Sequence, residues 1–398
     1  MSDAPGVPRG LVGLLSTANF VIGMGAFVVI GTLGPLARDL GLSPAVAGGV
    51  MTSYALAYAV LSPLLVSATG AFGRRRVMTL GLAVFALGAA ASALAPDAGW
   101  LFAARALAAA GAGLTTPVIA AVAAGLAPPE RRGQVLAQVF LGLTVAMVLG
   151  VPAGSWVAYA YGWRASFWIV ALLAAAMAAA LWVGVPRGLR FQPVALRDLG
   201  AVLGDGRMML AIGFTATFLG AIYVPFTYLS PLLEETMGLG RDGVTAALTV
   251  CGLGAVVGNL IGGRMADRLG PARTLGLLAG AQVVIMPLLS LLPIPLPLAL
   301  TLFLVWYAGG FAFTAGQQIR LVTLSGPRAP VALALNAACI YVGAAIGAAL
   351  GGLVVAGAGL GSLGVAGGLA ALVAVANLAA SRAFPPGHAA VDSGPARP

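Results

Sequence analysis

Apolar and polar positions in this chain do not alternate at a strand or surface-helix period; they come in long blocks. Apolar runs fill about 11–36, 44–66, 77–95, 100–126, 134–160, 164–186, 208–233, 243–264, 272–292, 297–320, 331–356 and 363–383, with short polar segments between them. A helix crossing the bilayer needs roughly 20 apolar residues, and each run comes close to or exceeds that length. In lipid the backbone must satisfy its own hydrogen bonds, and Ala- and Gly-rich runs of this length do so as helices. The pattern therefore predicts an all-α membrane protein of about twelve transmembrane helices, with the lipid bilayer as its main partner. The boundary around Pro293, Pro295 and Pro297 is the least sharp, because Pro interrupts helices. The first run is too long for a signal-peptide core and no small-residue cleavage site follows it, so it is expected to be a retained span.

The longest interior polar stretch, Arg187 to Arg207, separates six runs from six. An offset of 197 residues carries Gly73, Arg76, Gly113, Gly150 and Gly154 onto Gly270, Arg273, Gly310, Gly347 and Gly351. A register held without a gap between equivalent loops and spans points to duplication. The expected organisation is an N-terminal six-helix half (1–186), a cytoplasmic linker (187–207), a C-terminal six-helix half (208–383) and a disordered cytoplasmic tail (384–398).

Composition agrees with the pattern. Of 398 residues 60% are apolar and 8% charged, against roughly 25% charged in soluble domains. Mean hydropathy is +1.02. The formal net charge is +10, and every basic residue is Arg. A pI near 10.6 raises nucleic acid as a partner. The arginines, however, sit in small groups between apolar runs, without the interleaved aromatics of a nucleic-acid channel, so no nucleic acid is expected. Counted by alternate loops, 17 arginines share the side of both termini, while Arg38, Arg164 and Arg241 lie opposite and Arg105 lies inside a span. Positive charge marks the cytoplasmic side, which places both termini there.

Catalytic chemistry is not indicated. Cys251 and Cys339 are isolated, His388 lies in the tail, and no span holds paired carboxylates. An integral-membrane enzyme would need converging nucleophile, base or metal ligands; no catalytic residue, metal or cofactor is expected.

The loop after the eighth run reads Gly263-Arg264-Met265-Ala266-Asp267-Arg268-Leu269-Gly270-Pro271-Ala272-Arg273. It resembles the loop motif of the major facilitator superfamily. An Asp at a helix end can dock on a neighbouring helix N-terminus, while Arg side chains anchor the loop among headgroups. The counterpart after the second run, Gly70-Ala71-Phe72-Gly73-Arg74-Arg75-Arg76, has Gly70 where Asp267 stands. In the fifth run Gly142, Gly150, Pro152 and Gly154, followed by Gly162-Trp163-Arg164, resemble the Gly-Pro motif of the superfamily's antiporter branch. Arg105, ahead of Gly111 and Gly113, resembles the Arg of its fourth-span motif, although the family's Gln and Gly that follow are Ala108 and Ala109 here. Gln317-Gln318-Ile319-Arg320 through Asn336 to Gly351-Gly352 is similar to arabinose-efflux-permease-like and purine-efflux-like members of the drug/proton antiporter family. The resemblance implies the major-facilitator fold of two pseudo-symmetric six-helix bundles and alternating access about a midplane site. It also implies proton-coupled efflux of a small-molecule substrate. An importer of a small metabolite, or a non-transporting sensor on the same fold, is the alternative.

Polar and aromatic residues at mid-span are the candidates for cargo binding: Asn19, Tyr54, Tyr58, Thr115, Thr116, Tyr223, Thr227, Trp306, Tyr307 and Gln317. Such a pocket is mostly apolar and aromatic, suited to lipophilic or weakly polar solutes. No carboxylate falls at mid-span to carry protons. Asp39, Glu234 and Glu235 lie at outer span ends, where loop or cap roles are the ordinary ones. Gating is expected from Arg105, from the glycine faces of spans five and eleven as sliding contacts, and from the cytoplasmic Arg/Asp loops as an inner latch. The protein is expected to be a monomer.

Overall fold

The computed structural model describes residues 9–128, 131–189 and 196–383. Twelve helices among these residues are long and apolar enough to cross a membrane. They are α1 (Gly10–Asp39), α2 (Pro44–Ala68), α3 (Arg74–Ala93), α4 (Ala98–Leu126), α5 (Arg132–Tyr161) and α6 (Trp163–Gly184) in the first half. The second half has α7 (Gly206–Met237), α8 (Arg241–Leu269), α9 (Pro271–Leu291), α10 (Leu296–Ser325), α11 (Val331–Ala358) and α12 (Leu360–Ala383). The expected tail lies outside the described residues. The linker adds a short helix, Leu196–Leu203. Its Val202 is buried with Met208, Ala211 and Ile212 of α7, Leu321 of α10 and Val331 and Ala332 of α11. This helix therefore docks on the C-terminal half.

Caps at the bilayer boundary start several helices. Ser43, Asp97 and Asp205 accept from the backbone N–H groups of Val46, Trp100 and Met208, satisfying donors that the first turn leaves free. Gly162 and Gly270, with φ of 89° and 80°, make the tight turns between α5 and α6 and between α8 and α9, a conformation that side-chain-bearing residues resist.

Small residues fix the packing within each half. A Cβ at Gly142 would lie 1.9 Å from Ser16 O, and one at Gly154 would lie 2.3 Å from Val28 Cγ2, so α5 rides directly on α1. In the other half Gly343 and Gly347 meet Ala216 and Gly220 of α7 at 2.7 and 2.3 Å. The glycine faces of α5 and α11 thus pack against the first helix of their own half. The sequence suggested these faces as sliding contacts between the halves; their tightest approaches weld each bundle, while Gly352 also reaches the other half, its Cβ position 3.3 Å from Ala45 O of α2. The halves meet through α2 with α11 and α5 with α8.

Prolines inside spans free carbonyls that neighbouring hydroxyls take up. Pro35 has no N–H for Gly31 O, which accepts from Ser155 Oγ at 3.0 Å. Pro117 does the same for Gly113 O, which accepts from Ser62 Oγ at 2.6 Å. Each interruption is thereby satisfied by a second helix, as a lipid interior requires.

Candidate transport site

Rings from both halves meet at the centre of the molecule. Tyr341 of α11 stacks on Tyr58 of α2 with centroids 3.6 Å apart, and Tyr54 and Phe27 stand 6.4 and 6.5 Å from it. Phe27 of α1 also stacks on Tyr223 of α7 at 6.2 Å. From Tyr223 the cluster continues through Phe226 to Tyr307 and Trp306, with centroids 4.5–6.2 Å apart. The Tyr54 and Tyr307 hydroxyls and Trp306 Nε1 are buried and have no hydrogen-bond partner among the described residues. Buried polar atoms are ordinarily paired, so these groups are free to meet a polar atom of a guest molecule.

Arg105 supports this cluster from α4. It is completely buried and does not reach the interface. Its Nη1 and Nη2 donate to the carbonyls of Gly25 and Ala26 in α1 at 2.8 and 3.0 Å. The guanidinium lies 4.4 Å from the Tyr54 ring and 5.5 Å from the Phe167 ring. Second lone pairs of two helix carbonyls and two ring faces solvate the cation in place of water. An Arg in a span is costly unless so compensated.

The sequence candidates divide. Tyr54, Tyr58, Thr116 and Tyr223 are brought together, and Trp306 and Tyr307 join through Phe226. Asn19 instead donates to Val139 O of α5 at 3.1 Å, and Thr115 bonds Gly111 O and fills the space beside Gly81. Thr227 bonds Tyr223 O of its own helix. Gln317 donates to Ala211 O and Asn336 Oδ1, tying α10 to α7 and α11. Asn19 and Gln317 thus join helices, Thr115 packs between α4 and α3, and Thr227 is bonded within its own helix. Phe27 and Tyr341 were missed. The sequence did hold one signal for Tyr341, the sole aromatic in an otherwise Ala- and Gly-rich span.

Toward the end of the bundle that carries Arg38, Arg164 and Arg241 the halves are bound together. Glu234 of α7 pairs with Arg38 of α1 and accepts from Tyr159 of α5, and Tyr159 and Ser230 hydroxyls are 2.8 Å apart. The carboxylate rests on Gly34, where a Cβ would collide with it. Tyr228 fills a socket made by Gly48 of α2 and Gly351 and Gly352 of α11, and donates to Ala348 O at 2.7 Å. Glu234 is therefore neither a cap nor a loop residue: it bridges the halves. Asp39 takes a different course, accepting from Trp163 and Arg164 within the first half. Beyond Tyr58 and Tyr341, toward the Arg-rich end, no hydrogen bond, ion pair or ring contact joins the halves among the described residues.

Comparison with known proteins accounts for this arrangement. The sequence model of the Major Facilitator Superfamily matches residues 15–329. The chain belongs to the Major Facilitator Superfamily. Among its relatives in the superfamily, the inner membrane transport protein YdhP of Escherichia coli K12 is 31% identical over 342 residues, covering 86% of this chain and 87% of that one. A chloramphenicol resistance protein of Streptomyces lividans is 33% identical over 341 residues, covering 84% and 86%. Two solved structures share the fold. A bacterial homologue of the human lysosomal transporter Spinster, in an inward-facing, occupied conformation, superposes with a TM-score of 0.76 at 18% identity, over 94% of this chain and 97% of that one. A D-xylose-proton symporter gives 0.73 at 18%, over 92% and 96%. The chain is thus a multi-pass membrane protein of a transporter superfamily.

The residues that carried the superfamily resemblance can now be placed. Pro152, which lacks the N–H for Val148 O, follows a π-helical turn over Ala146–Gly150. Gly252 of α8 packs on the backbone of that turn, where a Cβ would lie 2.6 Å from Val148 Cα. A π turn is a common functional irregularity, and here it sits where the halves touch. Gly150 packs beside Met24. Gly263 faces open space, and its neighbour Gly262 is the packing residue, with a Cβ position 1.9 Å from Ala312 O of α10. Asp267 and Arg268 are exposed at the end of α8, and Asp267 has no hydrogen-bond or ion-pair partner among the described residues. The docking expected of Asp267 is not made among the described residues, between which no bonded contact ties the halves at that end. Gly270 makes the turn that leads to Arg273 in the first turn of α9. Gly73 caps α3 opposite it, and Arg74, largely buried, and Arg76 follow in the first turn.

Proposed function

We propose that the protein exports small lipophilic or weakly polar solutes, coupled to proton entry, by alternating access across a bacterial inner membrane, with both termini cytoplasmic. The observation that carries this reading is the ring cluster shared between the halves, with its unpartnered hydroxyl and indole groups. A site at the contact between two rocking halves changes its exposure as they rock. Rings and a few polar groups suit a flat, largely apolar guest. Phe27, Tyr54, Tyr58, Thr116, Tyr223 and Tyr341 are the residues assigned to contact it, with Arg105 positioning Tyr54.

The relative named for chloramphenicol resistance supports export over import, since a membrane carrier confers resistance by removing the compound. The closure at the Arg-poor end, with no bonded contact between the halves toward the Arg-rich end among the described residues, supports a carrier that loads from the cytoplasm. The test is uptake by inside-out vesicles with and without an imposed pH gradient. Chloramphenicol and other small aromatic compounds serve as probes. Gradient-driven uptake that is lost when Tyr58 and Tyr341 are both replaced by Ala is expected. Uptake only in right-side-out vesicles would reverse the direction, and gradient-insensitive uptake would remove proton coupling.

A further inference from the structure

We propose that Arg207, Arg320 and Arg382 form a binding site for a phosphate-bearing anion at the Arg-rich end of the C-terminal half. Arg320 belongs to α10 and is 7% exposed. Its Nη2 donates to Ser381 Oγ of α12 at 2.5 Å, and the Ser381 hydroxyl in turn donates to Leu378 O. Its Nη1 is enclosed and has no acceptor. Arg207, in the first turn of α7, adjoins Met208, which packs on Leu321 next to Arg320, and Arg382 adjoins Ser381, so both bring like charge to its neighbourhood. Arg207 Nε is likewise buried without a partner. Among the described residues no carboxylate faces the group, and Asp205, the acid nearest in sequence to Arg207, is turned to cap Met208.

Three guanidinium groups of one sign, one of them buried and half-satisfied, are unfavourable alone. A buried charge that lacks its counter-charge is strongly destabilising. Nor does the positive-inside bias require this arrangement, because an Arg at a helix end ordinarily snorkels into water. Arg320 instead turns inward between α10 and α12. A phosphate group supplies what is missing: negative charge and several acceptor oxygens that match the fork of a guanidinium. Arg207 and Arg382 sit at the ends of their spans, at headgroup height. Phospholipid headgroups and free phosphate share this chemistry.

The test uses the full chain, delipidated in a neutral maltoside, with thermal unfolding followed by fluorescence. The additions are phosphatidylglycerol, phosphatidylcholine, inorganic phosphate, and chloride at matched ionic strength. Phosphatidylglycerol is expected to raise the midpoint by about 3–6 °C beyond phosphatidylcholine, and R207Q and R382Q each to remove at least half of that gain. R320M, which deletes the buried charge, is expected to lose the response; should it fail to fold, the two exposed-end variants carry the test. A gain from phosphate beyond chloride makes a free anion sufficient, whereas a gain from phosphatidylglycerol alone makes the ligand a lipid. No gain in the wild type from either, or a full gain in the R207Q/R382Q double variant, overturns the site. None of these outcomes depends on transport.

Discussion

Arg105 shows how one residue can be both costly and structural. Placing Arg at the centre of a span costs about 2.5–3.5 kcal/mol on insertion scales, and Arg105, two turns into α4, bears part of that. Two charge-assisted bonds to Gly25 O and Ala26 O return roughly 1.5–3 kcal/mol each, and the Tyr54 face adds to them. The guanidinium thus locks α4 to α1 and fixes the tilt of a ring in the central cluster. Arg105→Met is expected to insert, to lower the melting midpoint by about 2–4 °C, and to reduce transport at least tenfold. Arg105→Lys keeps the charge but loses the two-pronged fit, and should fall between the two. Midpoint and vesicle transport measured on the same preparations check this; wild-type values for R105M on both would show the brace to be idle. The sequence made Arg105 legible because it is the one charge well within a run. Its partners were not legible, since backbone carbonyls leave no trace in side-chain identity. Tyr341 was hidden for a related reason: what matters is the Tyr58 ring it meets from the other half, and no local pattern encodes that.

At the scale of the helix, lipid makes length readable and leaves facing unreadable. Every span was visible because the bilayer imposes a minimum apolar run, and α7 and α10 differ from expectation only by a turn at their ends. Facing is harder because an Ala- and Gly-rich span offers small residues on all sides, so moment and period say little. The loop motif drew attention to Gly263, yet Gly254, Gly258 and Gly262 are the residues that let α8 lie on α10, with Cβ positions 2.8, 2.2 and 1.9 Å from the carbonyls of Leu304, Ala308 and Ala312. The adjacent pair gives a sharp contrast. Gly262→Ala forces a methyl into backbone that cannot yield, an overpacking cost of about 1–3 kcal/mol or more. It should lower the midpoint by several degrees or abolish the folded yield. Gly263→Ala meets open space and should leave the midpoint within about 1 °C of wild type. Melting curves of the two variants decide the matter, and equal effects would mean that α8 is rotated from the position described.

Across the whole molecule, the duplication builds two rigid bundles, and the departures from it lie where the bundles must separate. Gly23 and Gly220, Gly150 and Gly347, and Gly154 and Gly351 occupy equivalent places 197 residues apart, each pair serving the same contact within its half. Symmetry of that kind stiffens bundles but cannot by itself say which end is shut. The closure is asymmetric: Glu234 has Ala37 as its counterpart in the first half, and Tyr228 has Gly31. Both residues come from α7, and both insert into the other half or its contact with α11. Glu234→Gln tests whether this is the latch. The amide keeps the shape and one acceptor for Tyr159, but it leaves Arg38 without its counter-charge, so the closed arrangement loses an ion pair while the open one, hydrated on both sides, loses little. A ligand or substitution shifts a conformational equilibrium only by what it does differently to the two states, and this substitution acts on one. Spin labels at Leu94 and Leu291, exposed and equivalent positions at the Arg-poor ends of α3 and α9, report the separation in a background without Cys251 and Cys339. The distance distribution is expected to gain a longer component in E234Q, and Arg38→Gln should reproduce it. The double variant should shift no further than either single one, because both remove the same interaction. A distribution unchanged in both single variants would assign the closure to Tyr228 and its glycine socket alone.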